Sequence, residues 1–212
     1  MHINLLCSDR NTPEHLLNNK SEEKWGGVDR GALILYQNNI EPEFTIGDFD
    51  SVNDEERQVL TDQFGINPVK AEKDDTDLAI AVEEAVQRGF LEIHIYGATG
   101  GRLDHFMGAL QILEKPEYQR LNVKIIIIDQ QNVIQYLTAG CYNIQQQANF
   151  KYVSFIPVNY PTSISLINFK YPLEHQNLEQ GSTLTISNEL DGQSGVVELH
   201  EGAVLMIQST DK

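Results

Sequence analysis

Cysteine is nearly absent: the 212-residue chain has two, Cys7 and Cys141, and no CxxC pair. That excludes a disulfide framework and a cysteine-based structural zinc site, and it fits a reducing compartment. Basic residues are scarce as well, 15 Lys and Arg against 31 Asp and Glu, for a formal charge of −16. Such a chain lacks the clustered cations that nucleic acid or an anionic membrane requires. No long apolar run is present. The strongest aliphatic segment, 123–128, already contains Lys124 and falls far short of the ~20 residues of a bilayer span. The start, MHINLLCSDR, has neither the basic opening nor the apolar stretch of a secretory signal. These absences predict a soluble, cytoplasmic protein. What is left is an ordinary globular composition, 41% hydrophobic and 22% charged, over enough chain for one large domain or two small ones.

The first two-thirds alternates strand and helix signals. Residues 3–7, 44–46, 91–96 and 123–128 read as strands; 29–37, 54–64, 77–88 and 104–114 read as helices. The helix over 77–88 is the clearest, with Leu78, Ala81, Val82, Ala85 and Val86 on one face and Gly89 as its stop. Pro116 is expected to close the 104–114 helix. This alternation predicts a mainly parallel, Rossmann-like sheet flanked by helices. After Asp129 the texture changes to short β-rich segments (133–137, 152–157, 163–169, 183–187, 195–199, 203–208), with turn signals at 138–140, 159–161, 191–192 and 201–202. That is the pattern of a small antiparallel β-sandwich or barrel. The expected domains are 1–130 and 138–212.

Three motifs carry candidate chemistry. Gly47-Asp48-Phe49-Asp50-Ser51 follows a strand, where open α/β sheets place their ligands. On extended backbone Asp48 and Asp50 point to one side, and two close carboxylates call for a cation such as Mg²⁺; the bland alternative is a turn with Asp50 or Ser51 capping the next helix. Lys73-Asp74-Asp75-Thr76-Asp77 opens the strongest helix. Thr76 or Asp77 suits its N-cap, and Lys73 suits a phosphate oxygen. Gly97-Ala98-Thr99-Gly100-Gly101-Arg102-Leu103-Asp104-His105 joins a strand to a helix, so its amides, Gly100 and Gly101 included, can converge on an anion that Arg102 also binds. It is neither a Walker A loop nor a GxGxxG fingerprint.

In this order, GDFDS, KDDTD and GATGGRLDH resemble the consecutive motifs of the thiamin pyrophosphokinase family. The resemblance extends to Gly27-Val28-Asp29-Arg30-Gly31-Ala32, with Arg30 where many members carry glycine, and to Ile186-Ser187-Asn188-Glu189-Leu190 near the C-terminus. It implies an α/β nucleotide-binding domain followed by a β-sandwich, a homodimer with thiamin bound between subunits, and transfer of pyrophosphate from ATP to the thiamin hydroxyl with release of AMP. It implies Mg²⁺ held by Asp48, Asp50 and Asp77, with Asp104 joining that acidic group. Ser51, Thr76, Arg102 and His105 belong to the phosphate site, Lys73 assists, and Ser187 and Asn188 contact the thiamin pyrimidine. Asp50 or Asp104 is the candidate base. The roles of Asp29 and of Trp25, a candidate stacking residue, stay open. A pterin pyrophosphokinase, or a non-catalytic sensor of thiamin diphosphate or nucleotide, is the alternative.

Overall fold

The computed structural model describes residues 1–48, 53–64, 75–147 and 149–211, and the chain divides into two compact units, Met1–Gln130 and Gln131–Lys212. The first unit runs β1 (His2–Leu6), α1 (Leu16–Asn19), β2 (Trp25–Val28), α2 (Arg30–Gln37), β3 (Phe44–Ile46), α3 (Asp54–Phe64), α4 (Asp77–Gln87), β4 (Glu92–Tyr96), α5 (Leu103–Leu113), α6 (Pro116–Arg120) and β5 (Lys124–Ile128). The second holds β6 (Asn132–Gln145), β7 (Tyr152–Ile167), β8 (Leu173–Asn177), β9 (Asn188–Glu189) and β10 (Ser194–Ser209).

In the first unit the strands lie in the order β3-β2-β1-β4-β5, every pairing parallel. Alternation along the strands sends Ile3, Leu5, Ile93, Ile95, Ile125 and Ile127, all buried, to one face. Leu6 and Tyr96 lie on the other, where they pack with Trp25, Leu16 and Leu35. Trp25 is fully buried, lies 5.8 Å from the Tyr96 ring, and donates its indole N–H to the Lys20 carbonyl at 2.9 Å; it is a core residue. The sequence reading missed β2, whose paired glycines lower its strand signal, and the short α1. Pro116, expected only to end a helix, also starts α6 from the first helical position, where its missing N–H costs nothing.

The second unit is antiparallel, in the order β6-β10-β7-β8 with β9 on β7. Here five of the six short segments expected from the sequence become three long bent strands. The turn signals at 159–161 and 201–202 lie inside β7 and β10, at register shifts that bring Leu199, Glu201 and Ala203 opposite Ile164, Ser163 and Asn159. The signal at 138–140 lies inside β6, opposite the same shift. Residues from both halves of each strand then share one core: Leu137 with Ile144, Val153 and Phe155 with Ile164 and Leu166, and Val197 and Leu199 with Val204 and Met206. The sheet folds over itself at a line of bulges, and that fold makes the expected sandwich. Residues 183–187, expected as a strand, form a turn.

Candidate active site

Because β1–β5 are parallel, their carboxyl ends share one edge, and the loops leaving it carry the polar residues. β2 ends in Asp29. Its N–H donates to the Ile46 carbonyl at 2.8 Å, which seats it beside the end of β3. Its backbone is unusual for a non-glycine residue, φ 47° and ψ −123°, and its carboxylate does not cap α2 although it occupies the N-cap position. Gly47, at the end of β3, lies so close that a Cβ there would sit 3.0 Å from the Asp29 Cα and collide with its carboxylate. Glycine is therefore required before Asp48. On α4, Thr76 is the N-cap, its hydroxyl accepting from the Ala79 N–H at 3.3 Å, and this sets Asp77 in the first helical turn.

These three local arrangements converge. Asp29, Asp48 and Asp77 each bring one carboxylate oxygen to within 4.8 Å of the others, and all three are half-buried. Adjacent oxygens around Mg²⁺, at ~2.0–2.1 Å from the ion, stand about 3 Å apart, so a small contraction of this cluster closes it on a divalent cation. The donor set is all hard oxygen, the chemistry Mg²⁺ prefers. Of the expected trio Asp48 and Asp77 stand together here, and Asp29, whose role the sequence left open, stands with them. Asp50, Ser51 and Lys73 lie outside the described residues. Next to the cluster the Cys7 thiol is pushed up to about 12 by burial, with the Asp29 charge adding to the effect, so it stays a thiol at neutral pH.

Asp104 is not part of this carboxylate group. It sits at the start of α5, where Arg102 grips both its oxygens at 2.6 and 3.1 Å and the His105 N–H donates to it at 3.0 Å. The Arg102 hydrogen bond is the chief cause holding its carboxyl down to about 2. Arg102, Asp104 and His105 are all exposed. The glycine loop itself is anchored from behind: Thr99 donates to the Asp129 carboxylate at 2.7 Å in a buried bond, and the Ser8 hydroxyl donates to the Gly97 carbonyl at 2.7 Å. Neither Asp129 nor Ser8 was a sequence candidate, since each lies at a strand end without a motif around it.

In the second unit Ser187 adopts φ 56°, its N–H held by the Ser154 hydroxyl at 2.9 Å. Asn188 is 3% exposed. Its carbonyl oxygen accepts from the Tyr171 and Glu189 N–H groups, and its amide donates to the Tyr171 carbonyl. Expected to touch a ligand, Asn188 spends these bonds clipping the Tyr171 turn to β9, which leaves Ser187 as the residue of the pair that faces outward.

A family model described as "Thiamin pyrophosphokinase, catalytic domain" matches residues 15–127, and one described as "Thiamin pyrophosphokinase, vitamin B1 binding domain" matches residues 141–204. The thiamine pyrophosphokinase of Bacillus subtilis is 41% identical over 202 residues, spanning 94% of this chain and 90% of that protein. A crystal structure of a probable thiamine pyrophosphokinase from Staphylococcus saprophyticus is 47% identical, covers both chains fully and superposes with a TM-score of 0.82. The thiamin pyrophosphokinase of Candida albicans is 17% identical, covers 99% of this chain and 89% of that one, and has a TM-score of 0.80; it speaks to the fold alone.

Proposed function

Because the chain belongs to the thiamin pyrophosphokinase family, transferases that move a pyrophosphoryl group from ATP to thiamin, we propose that Asp29, Asp48 and Asp77 hold the Mg²⁺ of the ATP complex. The observation that carries this reading is the convergence of three half-buried carboxylates from the ends of β2 and β3 and the start of α4. An Mg²⁺ held by these carboxylates would supply positive charge against the negative charge that develops on the leaving group. Asp50, two positions after Asp48 in the sequence, belongs to the same proposal.

The chain's own residues do the rest. The thiamin hydroxyl attacks the β-phosphorus, its proton passes to a base, and AMP departs. Arg102 binds phosphate with the donors that Asp104 does not occupy, while Asp104 fixes the plane of its guanidinium. Amides of Gly100 and Gly101 orient the triphosphate, with Thr76 and His105 at its margin and Lys73 assisting. A carboxylate held near 2 by its arginine is a weak acceptor for a hydroxyl proton, which weighs against Asp104 as the base. In the second unit the Ser187 hydroxyl binds the thiamin pyrimidine, on a turn that Asn188 keeps in place.

The enzyme works as a homodimer with thiamin at the subunit interface. Two exposed apolar sets support this: Leu103 and Met107, one turn apart on α5, and Leu184 and Ile186 beside Ser187. Its cytoplasmic setting fits two unbridged cysteines. Among the described residues no helix is long and apolar enough to cross a membrane. Incubation with ATP and Mg²⁺ tests the reaction: AMP must form when thiamin is added and not when a hydroxymethylpterin replaces it. Absence of thiamin-dependent AMP overturns the reading.

A further inference from the structure

The chain visits β1, β2 and β3 on one side of the sheet, then crosses to β4 and β5 on the other. The loops after β1 and β4 therefore diverge at the point where the strand order reverses, the usual ligand crevice of open parallel sheets. The loop after β1, residues 7–12, is built into that edge. Its Ser8 hydroxyl holds the Gly97 carbonyl at 2.7 Å and accepts from the Arg10 N–H at 3.2 Å, and its Asn11 carbonyl accepts from the Gln130 N–H at 2.9 Å. This rigid loop lays the Arg10 side chain across the glycines of GATGG. A Cβ on Gly101 would stand 3.1 Å from the Arg10 Cζ and overlap its Nη1, whereas a Cβ on Gly100 would collide first with the Asn11 amide and lie 3.3 Å from the Arg10 Cδ.

In a chain with twice as many acids as bases, most of the described cations find a carboxylate, and Arg102 has Asp104. Arg10 is exposed, and among the described residues its guanidinium has no ion-pair or hydrogen-bond partner. Its planar fork carries five N–H donors. We propose that Arg10 binds the phosphates of the adenine nucleotide from the β1 side of the glycine loop, and that Gly101 is a glycine in part to seat its side chain. This rests on the reading of the chain as an ATP-dependent transferase.

The test is titration of intact Arg10→Gln, Arg10→Lys, Gly101→Ala and Arg10→Gln/Gly101→Ala proteins with the β,γ-imido analogue of ATP plus Mg²⁺, with adenosine, and with thiamin diphosphate. Arg10→Gln is expected to weaken the analogue by about tenfold, the loss of one charge-assisted bond, and to leave adenosine and thiamin diphosphate within about threefold. Arg10→Lys retains part of the affinity. Gly101→Ala, which displaces the guanidinium, weakens the analogue too, and adds little on top of Arg10→Gln because the two act through one contact. Unchanged analogue affinity in Arg10→Gln, an equal loss for adenosine, a loss confined to thiamin diphosphate, or independent effects of the two substitutions overturns the proposal. If Arg10→Gln fails to fold, Arg10→Lys carries the same comparison. Wild-type protein that binds the analogue but yields no thiamin-dependent AMP overturns the proposed reaction and leaves Arg10 in its role.

Discussion

At the scale of single residues, Asp29 shows what a linear reading cannot supply. Its neighbours marked it as part of a motif, but which carboxylates meet depends on how the ends of β2 and β3 align with the start of α4, and that is set by pairing across the sheet. Its backbone, φ 47° and ψ −123°, is of the kind that costs ~1–3 kcal/mol in a non-glycine residue and persists where function needs it. A crossed prediction follows from that strain. Asp29→Asn, Asp29→Ala and Asp29→Gly are each expected to lower kcat by at least about a hundredfold, since several kcal/mol of charge stabilisation are at stake. Among them Asp29→Gly unfolds at higher urea than Asp29→Ala, because glycine adopts positive φ without the Cβ penalty. Equal midpoints for the two variants count against strain at Asp29. Trp25 was equally opaque in sequence: a lone indole reads the same whether it stacks on a ligand or fills a core, and only its complete burial against Tyr96 decides.

Among whole elements, the longer helices and the buried parallel strands other than β2 were legible because their signals are local: apolar spacing, an N-cap such as Thr76, a strand such as 44–46. The bent strands of the second unit were not. A bulge and a hairpin turn draw on the same residues, Gly, Pro, Asn and Thr, so the sequence could not tell an interruption of β10 from its end. Gly202 marks the difference. It holds φ 79° inside β10, and a Cβ there would meet the carbonyls of Asn159 and Pro161 and the Thr162 hydroxyl. Gly202→Ala is expected to destabilise by about 2 kcal/mol or more, the sum of a strained backbone and a clash with neighbouring carbonyls. Urea unfolding measures it, and a loss below about 0.5 kcal/mol shows that the bend does not depend on this glycine. Asn188 behaves similarly at the β9 end, where a family motif residue turns out to be an internal clip.

For the whole molecule, the broad architecture was readable from the alternation of periods, whereas the strand order, and with it the crevice between β1 and β4, was not, because no local signal says which strand will lie beside which. The entire fold has two responses to its ionic surroundings. The first is to acid. Burial, and then His2 at a ring distance of 4.3 Å, hold the His94 pKa below the usual histidine value, while Glu92 at 3.2 Å pulls the other way. The unfolded chain then takes up this proton at higher pH than the folded one, so the stability from neutral His94 is complete above about pH 6.5 and is lost as pH falls below it. The unfolding midpoint of wild type is expected to drop more between pH 7 and pH 5 than that of His94→Gln; an identical drop removes His94 from the cause.

The second response is to metal. A cation that binds only the folded state stabilises it by RT ln(1 + [L]/Kd), about 2.7 kcal/mol at a hundredfold excess over Kd. Salt also stabilises an acidic chain by screening its self-repulsion, at any site and with any cation. The two effects separate by comparison. Mg²⁺ is expected to raise the wild-type melting temperature more than NaCl at equal ionic strength, and chelation should reverse that excess. Asp29→Asn, Asp48→Asn and Asp77→Asn should keep the NaCl response and lose the excess, because each removes one of the three converging oxygens, while Asp104→Asn, outside the cluster, should retain it. Melting curves that rise equally with Mg²⁺ and NaCl, or an excess that survives in Asp29→Asn, mean that the carboxylates gathered at the ends of β2, β3 and the start of α4 do not bind the ion.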